Sequence, residues 1–136
     1  MCLSVVTKTF DPPDVAERWA WKVFCNKLSS PATCCGLYFG YDGKDFLREL
    51  DGIQSRAMAW PKGEWLQAVQ REIKYDLHKV YMTGFHCYRT RSSARIVQRQ
   101  DRHRRKVVKV KIRGVRFNGV QDGFQVLVAD ELFIPE

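Results

Sequence analysis

The chain has 136 residues, of which 45% are hydrophobic and 28% are charged, a composition typical of a globular protein and not of a disordered one. A chain of this length buries about two-thirds of its surface on folding, so it needs no disulfide or metal to hold a core. No apolar run approaches the roughly 18 residues of a membrane-spanning helix, and the stretch 1–6 is too short for a signal peptide. We therefore expect one compact domain over residues 1–136, a cytoplasmic location and no membrane partner.

The basic residues are concentrated in one segment. Residues 89–113 contain eleven of the 23 Lys and Arg residues and one of the 15 acidic residues, which gives the segment a formal charge of +10. The remaining twelve basic and fourteen acidic residues give −2. A field of one sign this dense repels itself unless a polyanion neutralises it, and nucleic acid is the commonest such partner. A solvated face with no partner and an acidic protein surface are the alternatives.

No motif of a known catalytic or metal site is present. The five cysteines are an odd number, which predicts free thiols in a reducing compartment. Cys34 and Cys35 are adjacent, which is not the spacing of a zinc site or a redox pair. Phosphate-binding loops and the sequence signatures of hydrolases and metalloproteases are absent. We therefore expect no metal, no cofactor and no catalytic residue.

An extended lead-in and a strand open the chain. Residues 1–14 are predicted to be an extended lead-in, because its two consecutive prolines cannot continue a helix or donate to a ladder. Residues 19–25 alternate in a two-residue period and predict a strand. Trp19 and Trp21 lie on the apolar face of that pattern, so we expect both rings in the core and not stacked on a ligand.

The middle of the chain is less regular. Residues 37–41 predict a second short strand, whereas residues 45–58 have helical spacing that a glycine weakens. Residues 64–71 fit a helix or a strand, and we favour a short helix or an irregular turn. Residues 80–88 are rich in aromatic residues, which are expected in the core, and predict a strand entered through a tight turn.

A short helix follows, which Ser92 or Ser93 would cap and which runs to Gln100. Basic residues recur along it every three or four positions and fall within an arc of roughly 80°. They are Arg91, Arg95, Arg99 and Arg102. Ile96 and Val97 lie off this stripe and are predicted to pack on the sheet.

The last third predicts an antiparallel pair of strands. Residues 106–113 alternate between apolar and basic side chains, which indicates a half-buried strand with a cationic outer face. Residues 124–129 return as an apolar strand after turns at Asn118-Gly119 and Asp122-Gly123. The elements together predict an α+β fold, a small, mainly antiparallel β-sheet with one or two helices packed on one face.

The candidate binding residues come from the helical stripe, the segment after it and the outer face of the strand. The planar guanidinium of arginine suits phosphate oxygens, and a row of arginines can follow a nucleic-acid backbone. Nothing in the pattern encodes base recognition, so binding is expected to be largely independent of base sequence. The predicted binding residues are Arg91, Arg95, Arg99, Arg102, Arg104, Arg105, Lys109, Lys111 and Arg113.

Several short motifs together resemble a group of short uncharacterised proteins of bacteria and their phages. The motifs are MCLS at the start, WKVF at 21–24, GFHCYRT at 84–90 and VLVADE at 126–131. The resemblance implies a single small cytoplasmic domain from a mobile element. By analogy, it points to phage accessory proteins that inhibit host defence, such as anti-CRISPR proteins that dock on a nucleoprotein complex.

A more distant likeness is to the small ADP-ribosyltransferases, through the order of Lys22, a middle strand with His86 and Tyr88, and a late Glu131. It implies that His86 or Tyr88 positions the nicotinamide ribose of NAD and that Glu131 polarises it. Lys22 stands where an Arg or His is expected, and the Ser-Thr-Ser strand pattern is absent, so the enzyme is the second hypothesis. Outside that likeness, we expect His86 to be a hydrogen-bonded core histidine.

Overall fold

The computed structural model describes residues 3–25, 62–68, 72–74, 79–82, 84–100 and 105–136. The strand predicted at 37–41 and the segment 45–58 lie outside the described residues, and so do Arg102 and Arg104.

The described residues form eight strands and one helix. They are β1 (Val5–Asp14), β2 (Arg18–Cys25), β3 (Trp65–Gln67), β4 (Glu72–Lys74), β5 (Val80–Met82), β6 (Phe85–Tyr88), α1 (Arg91–Arg99), β7 (Arg105–Gln121) and β8 (Phe124–Phe133). Six strands form one antiparallel sheet in the order β1-β7-β2-β6-β8-β3, and β4 pairs with β5 separately. The predicted α+β class with a mainly antiparallel sheet is confirmed. Within the described ranges, no helix is long and apolar enough to cross a bilayer.

Strand β7 pairs along both of its edges. Residues 105–112 pair with β2, and residues 115–120 pair with β1 further along the same edge. Residues 111–121 pair with β8 on the opposite edge. Strand β8 also pairs with β6, and Tyr88 of β6 pairs with Trp21 of β2, so β7, β2, β6 and β8 close into a ring.

The faces of this ring carry two hydrophobic clusters. One, the helix-side cluster, includes Val23 of β2, Val126 of β8 and the α1 residues Ala94 and Val97. The other, the opposite cluster, takes residues from all four strands of the ring. Among its members are Ala20, Phe24, Phe85, Cys87, Val110, Ile112, Leu127 and Ala129. Both faces of the ring strands therefore contribute to a core.

The predicted core position is wrong for Trp19, which is 48% exposed. Trp21 is half-buried and packs against the helix-side cluster, whereas Ala20 and Phe24 on the other face are fully buried. The face of Ala20 and Phe24 also carries Lys22, whose charge makes it look solvent-facing in the sequence. Lys22 is nevertheless buried, and its Nζ donates a hydrogen bond to the carbonyl oxygen of a residue on β6 at 3.0 Å.

Two segments that were not predicted as strands belong to the sheet, the extended lead-in and part of 64–71. Ten residues of the lead-in form β1, which pairs with β7 through two register shifts. Residues 65–67 form β3 on the free edge of β8, so the favoured helix or turn at 64–71 is wrong there. The burial along β3 alternates, since Leu66 is buried while Gln67 is exposed, and the Trp65 ring lies 5.5 Å from that of Phe133.

The segment 80–88, predicted as one strand, forms two strands that belong to different sheets. Strand β5 pairs with β4, whereas β6 belongs to the large sheet. A side chain at Gly84 would bring its Cβ within 2.5 Å of the Ala129 carbonyl oxygen, so the close approach of β8 requires a glycine here. The expected burial of Tyr81, Phe85 and Tyr88 is confirmed.

The predicted hairpin forms with one turn. Strand β7 continues through Asn118-Gly119, so the turn predicted there is wrong. A Cβ at Gly119 would lie 2.5 Å from the Val5 carbonyl oxygen, so this glycine serves the approach of β1. The reversal is made by Asp122 and Gly123, with φ of 52° and 85°, the positive values that a two-residue hairpin turn favours.

The burial of β2 side chains predicts that two aromatic substitutions lower stability by different amounts. Phe24→Ala is expected to lower the free energy of unfolding by about 3–5 kcal/mol, because it removes a fully buried ring. Trp19→Ala is expected to cost on the order of 1 kcal/mol, because half of the side chain is exposed. Urea denaturation measures both values, and a larger loss for Trp19→Ala would contradict this assignment of the two faces.

Candidate nucleic-acid interface

Helix α1 is fixed at both ends by hydrogen bonds. Thr90 is the N-cap, in an extended conformation, and its Oγ1 accepts a hydrogen bond from the backbone N–H of Ser93 at 3.2 Å. The predicted N-cap, Ser92 or Ser93, is therefore wrong, and Thr90 caps the helix instead. At the C-terminal end, the Arg105 guanidinium donates to the Val97 carbonyl oxygen at 3.2 Å. The Arg105 contact joins the last turn of the helix to the start of β7.

The buried face of α1 is narrow. Ala94 and Val97 are its buried residues, and they pack into the helix-side cluster. Ile96 was predicted to pack on the sheet, but it is 45% exposed, because its position lies about 160° around the helix from Ala94. The predicted arginine stripe is exposed on the same helix and consists of Arg91, Arg95 and Arg99 in the described part.

The β2–β7 ladder places tryptophans beside lysines. Trp21 pairs with Lys109 and Trp19 pairs with Lys111, and directly paired residues share one face of an antiparallel sheet. The Nζ of Lys109 lies 4.7 Å from the Trp19 ring centroid and 5.8 Å from that of Trp21. The Nζ of Lys111 lies 5.1 Å from the Trp19 centroid. Each ammonium is within the range of a cation–π contact.

An open groove of about 520 Å³ lies where α1 meets this ladder. The groove is lined by Trp21 and Lys109 from the strands and by Arg91, Arg95 and Gln98 from the helix, among other residues. The helix packs over Val23 further along β2 and leaves Trp19 exposed. We call the combined face the basic–aromatic surface. Its members are Arg91, Arg95, Arg99, Lys109, Lys111, Trp19 and Trp21.

Two predicted binding residues have other roles. Arg105 is half-buried and holds the end of α1. Arg113 makes two hydrogen bonds to Glu131, at 2.6 and 3.0 Å, and its guanidinium lies 3.9 Å from the Trp65 ring centroid. This hydrogen-bonded pair raises the pKa of Arg113 and lowers that of Glu131. The structure thus brings five of the seven described binding residues together.

The site residues that the sequence pattern did not reveal are the two tryptophans and three residues that line the groove, Gln98, Lys106 and Val107. Trp19 and Trp21 alternate along β2 as the two lysines alternate along β7. That matched spacing of two aromatic and two basic residues is the signal in the sequence. It becomes informative only with the strand register, which joins residues about 90 positions apart.

His86 is the hydrogen-bonded core histidine that we expect. Its Nδ1 lies 3.0 Å from the Gly84 carbonyl oxygen, which can only accept, so Nδ1 carries the proton. Nε2 then accepts from the Tyr81 hydroxyl at 2.8 Å, and the same hydroxyl oxygen accepts from the Leu3 N–H at 3.1 Å. Burial, and to a lesser degree the Lys22 charge, lowers the pKa of His86 to about 3.

Two residues of the ADP-ribosyltransferase likeness contact each other, since Lys22 donates a hydrogen bond to the carbonyl oxygen of His86. Glu131 is held by Arg113 and Gln67, whereas Tyr88 lies in the helix-side cluster, where burial raises its pKa to about 12. Lys22 faces the opposite cluster, and burial lowers its pKa. That activity stays the second hypothesis. Among the residues that the structure describes, no group of three or more His, Cys, Asp or Glu side chains could hold a metal ion.

Comparison of the chain with protein-family profiles, with curated proteins and with solved structures found no match. The resemblance to short phage proteins therefore stays a prediction.

The burial of His86 predicts how stability depends on pH. Its pKa is about 3 in the folded state and about 6.5 when unfolded, so only the unfolded state gains a proton as the pH falls between these values. Stability is therefore lost on acidification, and His86 accounts for about 2 kcal/mol between pH 7 and pH 5. In His86→Gln, which keeps an acceptor for Tyr81, this loss should be smaller by that amount. Equal losses in the two proteins, measured by denaturation at both pH values, would contradict the assignment.

Proposed function

We propose that the protein binds nucleic acid, free or within a nucleoprotein complex, through the basic–aromatic surface and largely without regard to base sequence. The observation that carries the proposal is the pairing of charges. Arg18, Arg113 and Arg116 each form an ion pair with a carboxylate. Within the described part of the chain, the five basic residues of the basic–aromatic surface have no such pair.

This difference favours a polyanionic ligand over a solvated face with no partner. Other exposed lysines of the described residues, such as Lys8 and Lys62, also form none of these ion pairs, but the five cations of the basic–aromatic surface are gathered on one face. The unpaired set lies beside a groove that is open to solvent. Guanidinium and ammonium groups in such a position can contact successive phosphates. Contacts to phosphates carry no sequence information, so binding through these groups would be largely independent of base sequence.

The wider role that we propose rests on the motif resemblance. A small basic protein of a phage or another mobile element meets nucleic acids and the nucleoprotein complexes of host defence in the same compartment. Inhibition of such a complex, in the manner of anti-CRISPR proteins, is the role this chemistry suits. The predicted cytoplasmic location is part of the same proposal.

Charge reversal on the helix tests the binding surface. Arg95→Glu/Arg99→Glu is expected to weaken binding to DNA and RNA oligonucleotides by more than tenfold at low salt. The slope of log affinity against log salt should fall by about 1.4 to 1.8, since each lost phosphate contact contributes about 0.7 to 0.9. Thermal stability should barely change, because exposed charges contribute little to folding. Fluorescence anisotropy across a salt titration measures both quantities.

The matched control is Lys8→Glu/Lys62→Glu, which changes the net charge equally at two exposed lysines elsewhere. It should keep most of the affinity and the slope. Equal losses in the two double variants would contradict a defined surface. If the unaltered protein binds neither single-stranded nor duplex nucleic acid at low salt, direct nucleic-acid binding is excluded, and an acidic protein surface becomes the target to test.

A further inference from the structure

We infer that the basic–aromatic surface takes single-stranded nucleic acid in preference to duplex, with Trp19 as the ring on which an unpaired base stacks. The inference rests on the proposed function and deepens it, since the charges alone would attract either form. It depends on where the aromatic rings lie relative to the unpaired cations.

The Trp19 side chain is more exposed than a residue that serves only the hydrophobic core would be. It is 48% exposed, and among the described residues it is the one aromatic side chain in the set of exposed large hydrophobics. Single exposed apolar residues are ordinary, but this one lies between two lysines on a face whose cations have no carboxylate partner. An exposed ring flanked by cations is the arrangement with which proteins hold single strands.

Lys109 and Lys111 can contact the Trp19 ring in the free protein and a phosphate in the bound state. In the free protein their ammonium groups lie 4.7 and 5.1 Å from the Trp19 ring centroid, which steadies the indole on the sheet. An exposed cation–π contact is weaker than base stacking on an aromatic ring. An arriving base therefore displaces the flexible lysines, whose ammonium groups remain close enough to contact the phosphates of the stacked nucleotide.

The stacking of bases inside a duplex disfavours its binding to these two rings. Trp19 and Trp21 are two residues apart on one strand, about 6.7 Å. Successive bases of a duplex are stacked about 3.4 Å apart and cover one another's faces, so no internal base can reach a ring. An extended single strand exposes its base faces and can place successive bases near successive rings. Its backbone then continues toward Arg91 and Arg95 across the groove.

A matched comparison exists within the chain. Trp65 also has a cation over its ring, the Arg113 guanidinium at 3.9 Å, but Glu131 pairs with that cation. Trp65 therefore has the ring and the cation without a free positive charge for a phosphate. A substitution there removes the same side chain from a site that lacks the proposed chemistry.

The experiment measures the affinities of fluorescein-labelled dT15, U15 and a 15-base-pair DNA duplex by anisotropy. We expect the unaltered protein to bind both single strands at least tenfold more tightly than the duplex. Trp19→Ala should weaken single-strand binding about tenfold or more, with the duplex affinity and the salt slope unchanged. Trp19→Phe, which keeps a stacking ring, should retain most of the affinity, and Trp65→Ala should match the unaltered protein.

The outcomes separate the inference from the proposed function. If single strands and duplex bind equally, or if Trp19→Ala weakens both equally, the inference is overturned. The proposed function then still stands, provided that Arg95→Glu/Arg99→Glu weakens binding by more than tenfold while the Lys8→Glu/Lys62→Glu control keeps most of the affinity. If none of the three probes binds, both fail. Under the expected result, the ratio of the dT15 and U15 affinities tells whether DNA or RNA is the preferred strand.

Discussion

The pairing of strand β7 along both of its edges determines which surfaces of this protein are covered. Strands β2 and β8 overlap on opposite edges at Lys111 and Ile112, and β6 joins them, so the pairings close into a ring. Because the ring is closed, each of its strands contributes one face to the opposite cluster. The backbone N–H and C=O groups between neighbouring strands are hydrogen-bonded to each other. The other face needs a separate cover. Helix α1 supplies it at Val23 and leaves the ladder open at Trp19.

The same ladder separates the charges. On β7, Arg113 and Arg116 lie beside β8 and pair with Glu131 and Asp130, whereas Lys109 lies beside β2, where tryptophans face it. One strand thus carries neutralised cations at one end and unpaired cations at the other. The unpaired end adjoins the exposed arginines of α1 across the groove. The register of β2 on β7 therefore places basic side chains and tryptophans side by side at the edge of an open groove. This combination supports a polyanionic ligand with accessible bases.

Local patterns were sufficient to predict the hairpin strands and the arginine stripe. The alternation of residues 106–113 and the Asp122-Gly123 turn act between near neighbours, and so does helical periodicity. The faces of β2 could not be predicted, because the burial of Lys22 depends on a carbonyl acceptor 64 positions away. Strand β3 was missed because its stability comes from the free edge of β8. The aromatic half of the site was missed for the same reason, since Trp19 meets Lys111 only through the register of β2 on β7.

The most direct test of a basic–aromatic surface that binds single strands is a titration of the ¹⁵N-labelled protein with dT15, followed by the indole N–H signals in NMR spectra. Single Trp→Phe substitutions assign the signals. We predict that the signals of Trp19 and Trp21 shift in proportion to bound strand, while that of Trp65, beside the neutralised Arg113, stays in place. Shifts at Trp65 with none at Trp19 and Trp21 would contradict the location of the surface, and saturating binding without any indole shift would contradict stacking.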